Sequence, residues 1–157
     1  MPNPFAFSRW YHKLSNIFVV PQFRVLPMPR GFVLLTVTGR RTGKRRRRPV
    51  RAIRRGDTFY TVAVLGERSD WLRNVRREPD VRVKVGMRTS DARAREVTDP
   101  EERRAALELY VNEVVPYDYV DYPSVHWGWP TRRKIIDAHR QWAANGALVA
   151  IDLAPPQ

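Results

Sequence analysis

The chain has 157 residues, 29 Lys+Arg against 16 Asp+Glu, a formal net charge of +13 and no cysteine. That length suits one domain with a real core, and a content of 43% hydrophobic and 11% aromatic residues excludes global disorder. The lack of cysteine excludes disulfides, a thiolate zinc site and a thiol nucleophile, which makes a reducing compartment the simpler expectation. His12, His126 and His139 stand too far apart to form a ligand motif, so no metal is assigned.

Residues 5–18 place Phe7, Trp10 or Tyr11, Leu14, Ile17 and Phe18 at helical spacing, which predicts an amphipathic helix. Such a helix can cap a core, or it can touch a membrane surface through residues 5–20. No apolar run reaches the ~18–20 residues of a membrane span, and the N-terminus lacks a signal-peptide pattern. A cytoplasmic chain is expected, with peripheral contact at the inner membrane face open through residues 5–20. Pro21, Pro27 and Pro29 predict a linker that cannot be regular helix. Residues 1–30 thus form an N-terminal helix and proline-rich linker, and residues 31–153 form one domain.

Phe32–Thr38 is β-branched and apolar on both faces, the pattern of a buried strand. Gly39–Lys44 turns, and the chain re-emerges extended through Pro49–Arg54. Arg55-Gly56-Asp57 is a turn signal before a strand over Thr58–Leu65. Ser69 or Asp70 can cap a short helix, Trp71–Glu78, which Pro79 stops. Val81, Val83 and Val85 alternate with Arg82 and Lys84, as in a half-buried strand, and Gly86-Met87 turns into another, about Thr89–Val97. Asp99-Pro100-Glu101-Glu102 is a helix start.

Residues 116–130, PYDYVDYPSVHWGWP, read as irregular and aromatic. Thr131 can cap a helix that ends at Gly146, and Ala147–Leu153 is a last strand. Strands joined by tight turns indicate antiparallel pairing, so the fold class is α+β, a mostly antiparallel barrel with peripheral helices.

The charge is uneven. Residues 40–55, RRTGKRRRRPVRAIRR, hold nine Arg, one Lys and no acid, which leaves +3 for the other 141 positions. Gly39 and Gly43 permit a tight turn whose amides can form an anion nest. Thr42 adds a hydroxyl, while Arg40, Arg41 and Arg46 offer forked donors for phosphate or carboxylate. The spacing is not that of a Walker loop, so nucleotide hydrolysis is not expected. Nucleic acid competes on charge alone, but the chain lacks a helix-turn-helix, zinc-finger or RNA-binding motif and the charge is confined to one loop and strand.

A second cluster spans residues 66–75, where Trp71 and Asn74 share a helix face. It reads either as an anchored core tryptophan or as a helix N-terminus beside an anionic ligand.

The segments LLTVTGRRTGKRRRRPV and SDWLRNVRREPDVRVKV, followed by an acidic helix, stand in the order seen in deazaflavin-dependent nitroreductases. Over about residues 31–112 the chain resembles that family, also called F420H2-dependent quinone reductases. The most specific piece is the GR-x-[ST]-G loop coupled to the W-x-x-N helix. The resemblance implies a six-or-so-stranded split β-barrel related to the flavin mononucleotide (FMN)-binding pyridoxamine-oxidase group, with the 5-deazaflavin coenzyme F420 as cofactor and FMN as the alternative.

It also implies roles for particular residues. Arg40, Arg41, Thr42, Gly43 and Arg46 match the loop that holds the coenzyme's phosphate and acidic tail, and Arg48 extends the same basic strand. Val62, Val64 and Leu65 match the strand end beside the deazaflavin ring, and Asp70, Trp71 and Asn74 match the helix start that closes the pocket. Tyr119 and Tyr122, together with Tyr117, correspond loosely to a tyrosine cluster on the substrate side, and the first two are the candidate proton donors. The implied activity is hydride transfer to a small electron-poor acceptor: an activated alkene, a quinone or a nitro compound. An FMN enzyme, a non-catalytic cofactor-binding protein and a nucleic-acid module stay open as alternatives. The family motif does not account for Arg45, Arg47 and Arg48.

Overall fold

The computed structural model of the chain describes residues 20–155, and the helix expected over 5–18 falls outside them. Residues 20–25 are helical (α1) and include Pro21, so the proline linker narrows to 26–30. Val20 and Phe23 account for this, since both pack into a core cluster with Met28 and Phe32. Lys84 closes the helix: its Nζ donates to the carbonyl oxygens of Phe23 at 2.8 Å, Arg24 at 3.1 Å and Leu26 at 2.9 Å. Carbonyls at a helix C-terminus lack intrahelical donors. Lys84, which alternation places on the polar side of its strand, is therefore buried.

Seven strands form one sheet: β1 (Phe32–Thr38), β2 (Arg45–Arg51), β3 (Ile53–Arg55), β4 (Thr58–Ala63), β5 (Asp80–Val85), β6 (Arg88–Glu96) and β7 (Ala147–Leu153). Their order is β2-β1-β5-β6-β7-β4-β3, and every pairing is antiparallel. The stretch expected as one extended piece, Pro49–Arg54, breaks at Ala52 into strands on opposite edges of the sheet. The two edges are thus halves of one bent segment, and the sheet curls so that they come together at that bend. The result is a split β-barrel with peripheral helices.

The sheet has two buried faces. Inside, Val33, Leu35 and Val37 of β1 pack with Trp71, Leu72 and Val75 of helix α2 (Asp70–Arg77). Outside, Leu34, Tyr60 and Val62 pack under helix α3 (Pro100–Asn112). Each such side chain contributes roughly 1.5–3 kcal/mol when fully buried. Asp99 caps α3 by accepting from the Glu102 amide at 2.8 Å, as its sequence signal predicts.

Residues 116–125 correct the expectation of an irregular stretch, because Pro116–Val125 is a helix, α4. Proline at a first helical position sacrifices no hydrogen bond, and Asp118 Oδ2 reaches back to accept from the Val115 amide at 2.8 Å. Thr131 caps α5 (Arg132–Asn145) by accepting from the Lys134 amide. At Gly146 an added Cβ would lie 2.4 Å from Val62 Cγ1 and 2.7 Å from the Ala63 carbonyl oxygen. Only glycine lets α5 turn into β7 there.

A buried ion pair joins β2 to the helices. Arg51 Nε donates to Asp118 Oδ1 at 2.9 Å, with the two side chains 5% and 3% exposed. The guanidinium also donates to the Tyr110 carbonyl at 2.9 Å and to the Glu113 carbonyl. Burial pushes the Asp118 carboxyl up, but hydrogen bonds from His139, Arg51 and the Val115 amide together bring it below its ordinary range. Among the described residues no helix is long and apolar enough to cross a membrane.

Candidate functional site

The β1–β2 turn folds on itself. The Gly39 amide donates to the Lys44 carbonyl and the Gly43 amide to the Gly39 carbonyl, both at 2.8 Å. Gly43 has φ +65° with nothing within 4 Å of an added Cβ, so glycine serves the backbone conformation there. Thr42 Oγ1 accepts from the Lys44 amide at 3.4 Å, which leaves its O–H able to donate outward.

Arg40 brings the turn to α2. Its backbone N and its Nη1 each donate to Asn74 Oδ1 at 3.1 Å, while Nη2 donates to Asp70 Oδ1 at 3.1 Å. The two sequence clusters therefore meet, 34 positions apart. Asn74 is buried and Asp70 exposed. Trp71 is buried beneath them, holding the helix against the inner core. Asn74 Nδ2 has no hydrogen-bond partner among the described residues. Arg40 itself is committed to the protein and acts as a strut.

Strand alternation sorts the arginine run. The register pairs Val37 with Arg46 and Leu35 with Arg48, but Thr38 with Arg45 and Thr36 with Arg47. Arg46 and Arg48 thus share the inner face with Trp71, and Arg45 and Arg47 point to the other side. Arg48 is half-buried; burial pushes its guanidinium below the usual range, and nearby Asp70 only partly offsets this. Three of the ten cations over 40–55 are already held in ion pairs, Arg40 to Asp70, Arg51 to Asp118 and Arg54 to Asp57. Arg41, Arg46 and Arg48 carry no ion pair among the described residues.

Val64 and Leu65 are half-buried and lead into a 3-10 turn, Gly66–Arg68. Arg76 braces that turn by gripping both Glu67 carboxylate oxygens at 2.6 Å and Glu96 at 2.8 Å. Hydrogen bonding from Arg76 holds the Glu67 carboxyl below its ordinary range. This brace joins positions scattered along the chain, and no local sequence signal announces it.

Not every expected residue reaches the cluster. Val62 lies on the outer face of β4, packed with Leu148 and Ala150, because its neighbours Thr61 and Ala63 point the other way. Tyr122 is buried between α4 and α5 with Ile135 and Ala138, stacked on His126 at 4.7 Å and 9°. Tyr119 lies on α4 and is 40% exposed. No hydrogen bond or ring contact among the described residues ties either tyrosine to the Arg40–Asn74 cluster. A cleft of about 500 Å³ opens beside Thr38 and Arg45. Most of its wall charges are paired, Arg82 with Asp91, Arg93 with Asp80 and Asp152 with Arg95, and Arg45 is its one lining cation without an ion pair among the described residues.

Comparison with known proteins bears on the family and on the fold. Residues 8–126, well over half of the chain, match the family profile described as F420H(2)-dependent quinone reductase. The fold is similar to that of a structure described as an F420-H2 dependent reductase (FDR-A), at 23% identity and TM-score 0.54, covering 82% of this chain and 99% of that one. A structure described as a domain-swapped dimer aligns at 22% identity and TM-score 0.55, covering 92% and 98%. A Bacteroides thetaiotaomicron protein ascribed to 5-nitroimidazole antibiotic resistance aligns at 12% identity and TM-score 0.52, covering 80% and 74%. A comparison with curated proteins returns no match.

Proposed function

The chain belongs to the F420H2-dependent quinone reductase family, oxidoreductases that work with coenzyme F420, and from that premise we propose that the Gly39–Lys44 turn and the start of α2 form the cradle for the coenzyme's anionic tail. The observation that carries this is the Arg40 strut. It fixes the turn against Asn74 and Asp70, so the remaining donors are held in one place. The donor set fits a polyanion. Arg41 is exposed on the turn and Arg46 on the adjoining strand, while Arg48 is desolvated without a hydrogen-bonded acid. A phosphodiester followed by several carboxylates would satisfy them with charge-assisted bonds.

When bound, the reduced coenzyme supplies a hydride from its deazaflavin ring. The protein's own part is to hold the tail, to set the ring beside Val64 and Leu65 on the braced 66–68 turn, and to leave one ring face open to an acceptor. An activated alkene, a quinone or a nitro compound meets that requirement. Tyr119, which has solvent access, is the better candidate proton donor, because Tyr122 is stacked and buried.

Titrating the protein with F420, FMN and duplex DNA at about 0.15 M salt, where long-range electrostatics are largely screened, tests the reading. F420 is expected to bind most tightly, with Arg41→Ala and Arg46→Ala each weakening it about tenfold or more. Tighter binding of FMN or DNA, with none of F420, overturns the assignment.

A further inference from the structure

Between α4 and α5, Trp127 and Trp129 are 101% and 87% exposed, the two largest apolar side chains that the described residues leave in water. They are held there by structure. On one side His126 stacks on Tyr122 at 4.7 Å, and on the other Lys134 Nζ donates back to the Trp129 carbonyl at 3.2 Å. Gly128, at φ +100°, turns the chain between them. Two indoles held in water on either side of a glycine turn call for a partner outside the chain.

The charge nearby says what kind. Residues 122–136 contain no acid, and Arg132, Arg133 and Lys134 form the exposed first turn of α5. Three cations at a helix N-terminus oppose the helix dipole, an arrangement that costs stability unless anions stand opposite. Indole rings beside a cationic turn match the layer where lipid headgroups meet acyl chains, since tryptophan partitions to that boundary and anionic headgroups attract the basic side chains.

We infer that the Trp127–Lys134 segment docks on an anionic lipid bilayer surface. The segment shares no residue with the proposed coenzyme cradle, the Gly39–Lys44 turn and the start of α2. It does not depend on which acceptor is reduced.

The test is co-sedimentation of the full chain with vesicles of phosphatidylglycerol mixed with phosphatidylcholine, and with phosphatidylcholine alone. Binding to the anionic vesicles is expected. Trp127→Ser with Trp129→Ser should weaken it at least about tenfold. Replacing Arg132, Arg133 and Lys134 by Gln should weaken it roughly fivefold per cation removed and abolish the preference for anionic lipid. Far-UV circular dichroism and retained F420 binding would show that the variants stay folded. Unchanged partitioning of the double tryptophan variant overturns the inference, as does failure of the parent to bind. A dimer in light scattering that the tryptophan variant dissolves, with vesicle binding unaltered, would assign the patch to a second copy of the chain instead.

Discussion

Arg40 and Asn74 share one oxygen atom: the Arg40 backbone amide and its side-chain Nη1 both donate to Asn74 Oδ1 at 3.1 Å. A single side-chain carbonyl thus fixes both the path of the turn and the direction of the arginine. Asn74→Leu, similar in volume, removes that acceptor and leaves Asp70 as the remaining hold. F420 affinity is expected to fall roughly tenfold to a hundredfold, the scale of a lost hydrogen bond to a charged group. Isothermal titration would show it, and an unchanged dissociation constant would mean that the turn holds its shape without α2.

Arg48 should separate binding from stability. Its guanidinium is half-buried and desolvated. Arg48→Met keeps the apolar stem and removes a charge that Asp70 only partly compensates. Coenzyme affinity is expected to drop about tenfold or more, while the denaturation midpoint stays level or rises. A fall in both would show that Arg48 serves the fold rather than the ligand.

The Arg51–Asp118 pair makes the opposite prediction. Asp118→Asn leaves a buried guanidinium without its counter-charge, which typically costs roughly 3–5 kcal/mol. For the pH dependence, the Asp118 carboxyl in the folded chain lies below its ordinary range, so the pair's contribution is complete above the unfolded value of about 3.9. It fades as pH falls through the lower folded value. Urea midpoints between pH 7 and pH 3 should decline less steeply in Asp118→Asn than in the parent. A parallel decline in both proteins contradicts this assignment.

The two tyrosines can be told apart kinetically. Tyr119→Phe is expected to lower kcat by about a hundredfold, the lower end for a lost general acid, with F420 affinity intact. Tyr122→Phe keeps the ring that stacks on His126 and should leave kcat within about twofold. If stopped-flow oxidation of bound F420H2 is slowed by the second substitution and not the first, the roles are reversed.

Much of this architecture could be read from the chain. β1 and β7 match the expected Phe32–Thr38 and Ala147–Leu153, because an apolar β-branched run bounded by glycine leaves few alternatives. The starts of α3 and α5 follow from Asp99 and Thr131, whose side chains make the caps that their types suggest. α4 was hidden by its prolines and tyrosines, although Pro116 with Asp118 is itself a helix-start pattern. Lys84 and Arg51 could not be foreseen as buried, since their partners are helix-end carbonyls supplied by distant segments. At the candidate site, the turn and the α2 motif were both visible. That Arg40 would be spent joining them, and that strand alternation would turn Arg45 and Arg47 away from Arg46 and Arg48, emerged only from the register.

The position of β2 at the rim of the sheet has a thermodynamic consequence. A rim strand invites a second copy to pair with it, and four consecutive arginines, Arg45–Arg48, make two such rims repel each other. A ligand rich in negative charge that settles on this strand removes part of that repulsion. Charge on this strand therefore weighs against edge-to-edge pairing of two chains, and it weighs less wherever an anion lies along Arg45–Arg48.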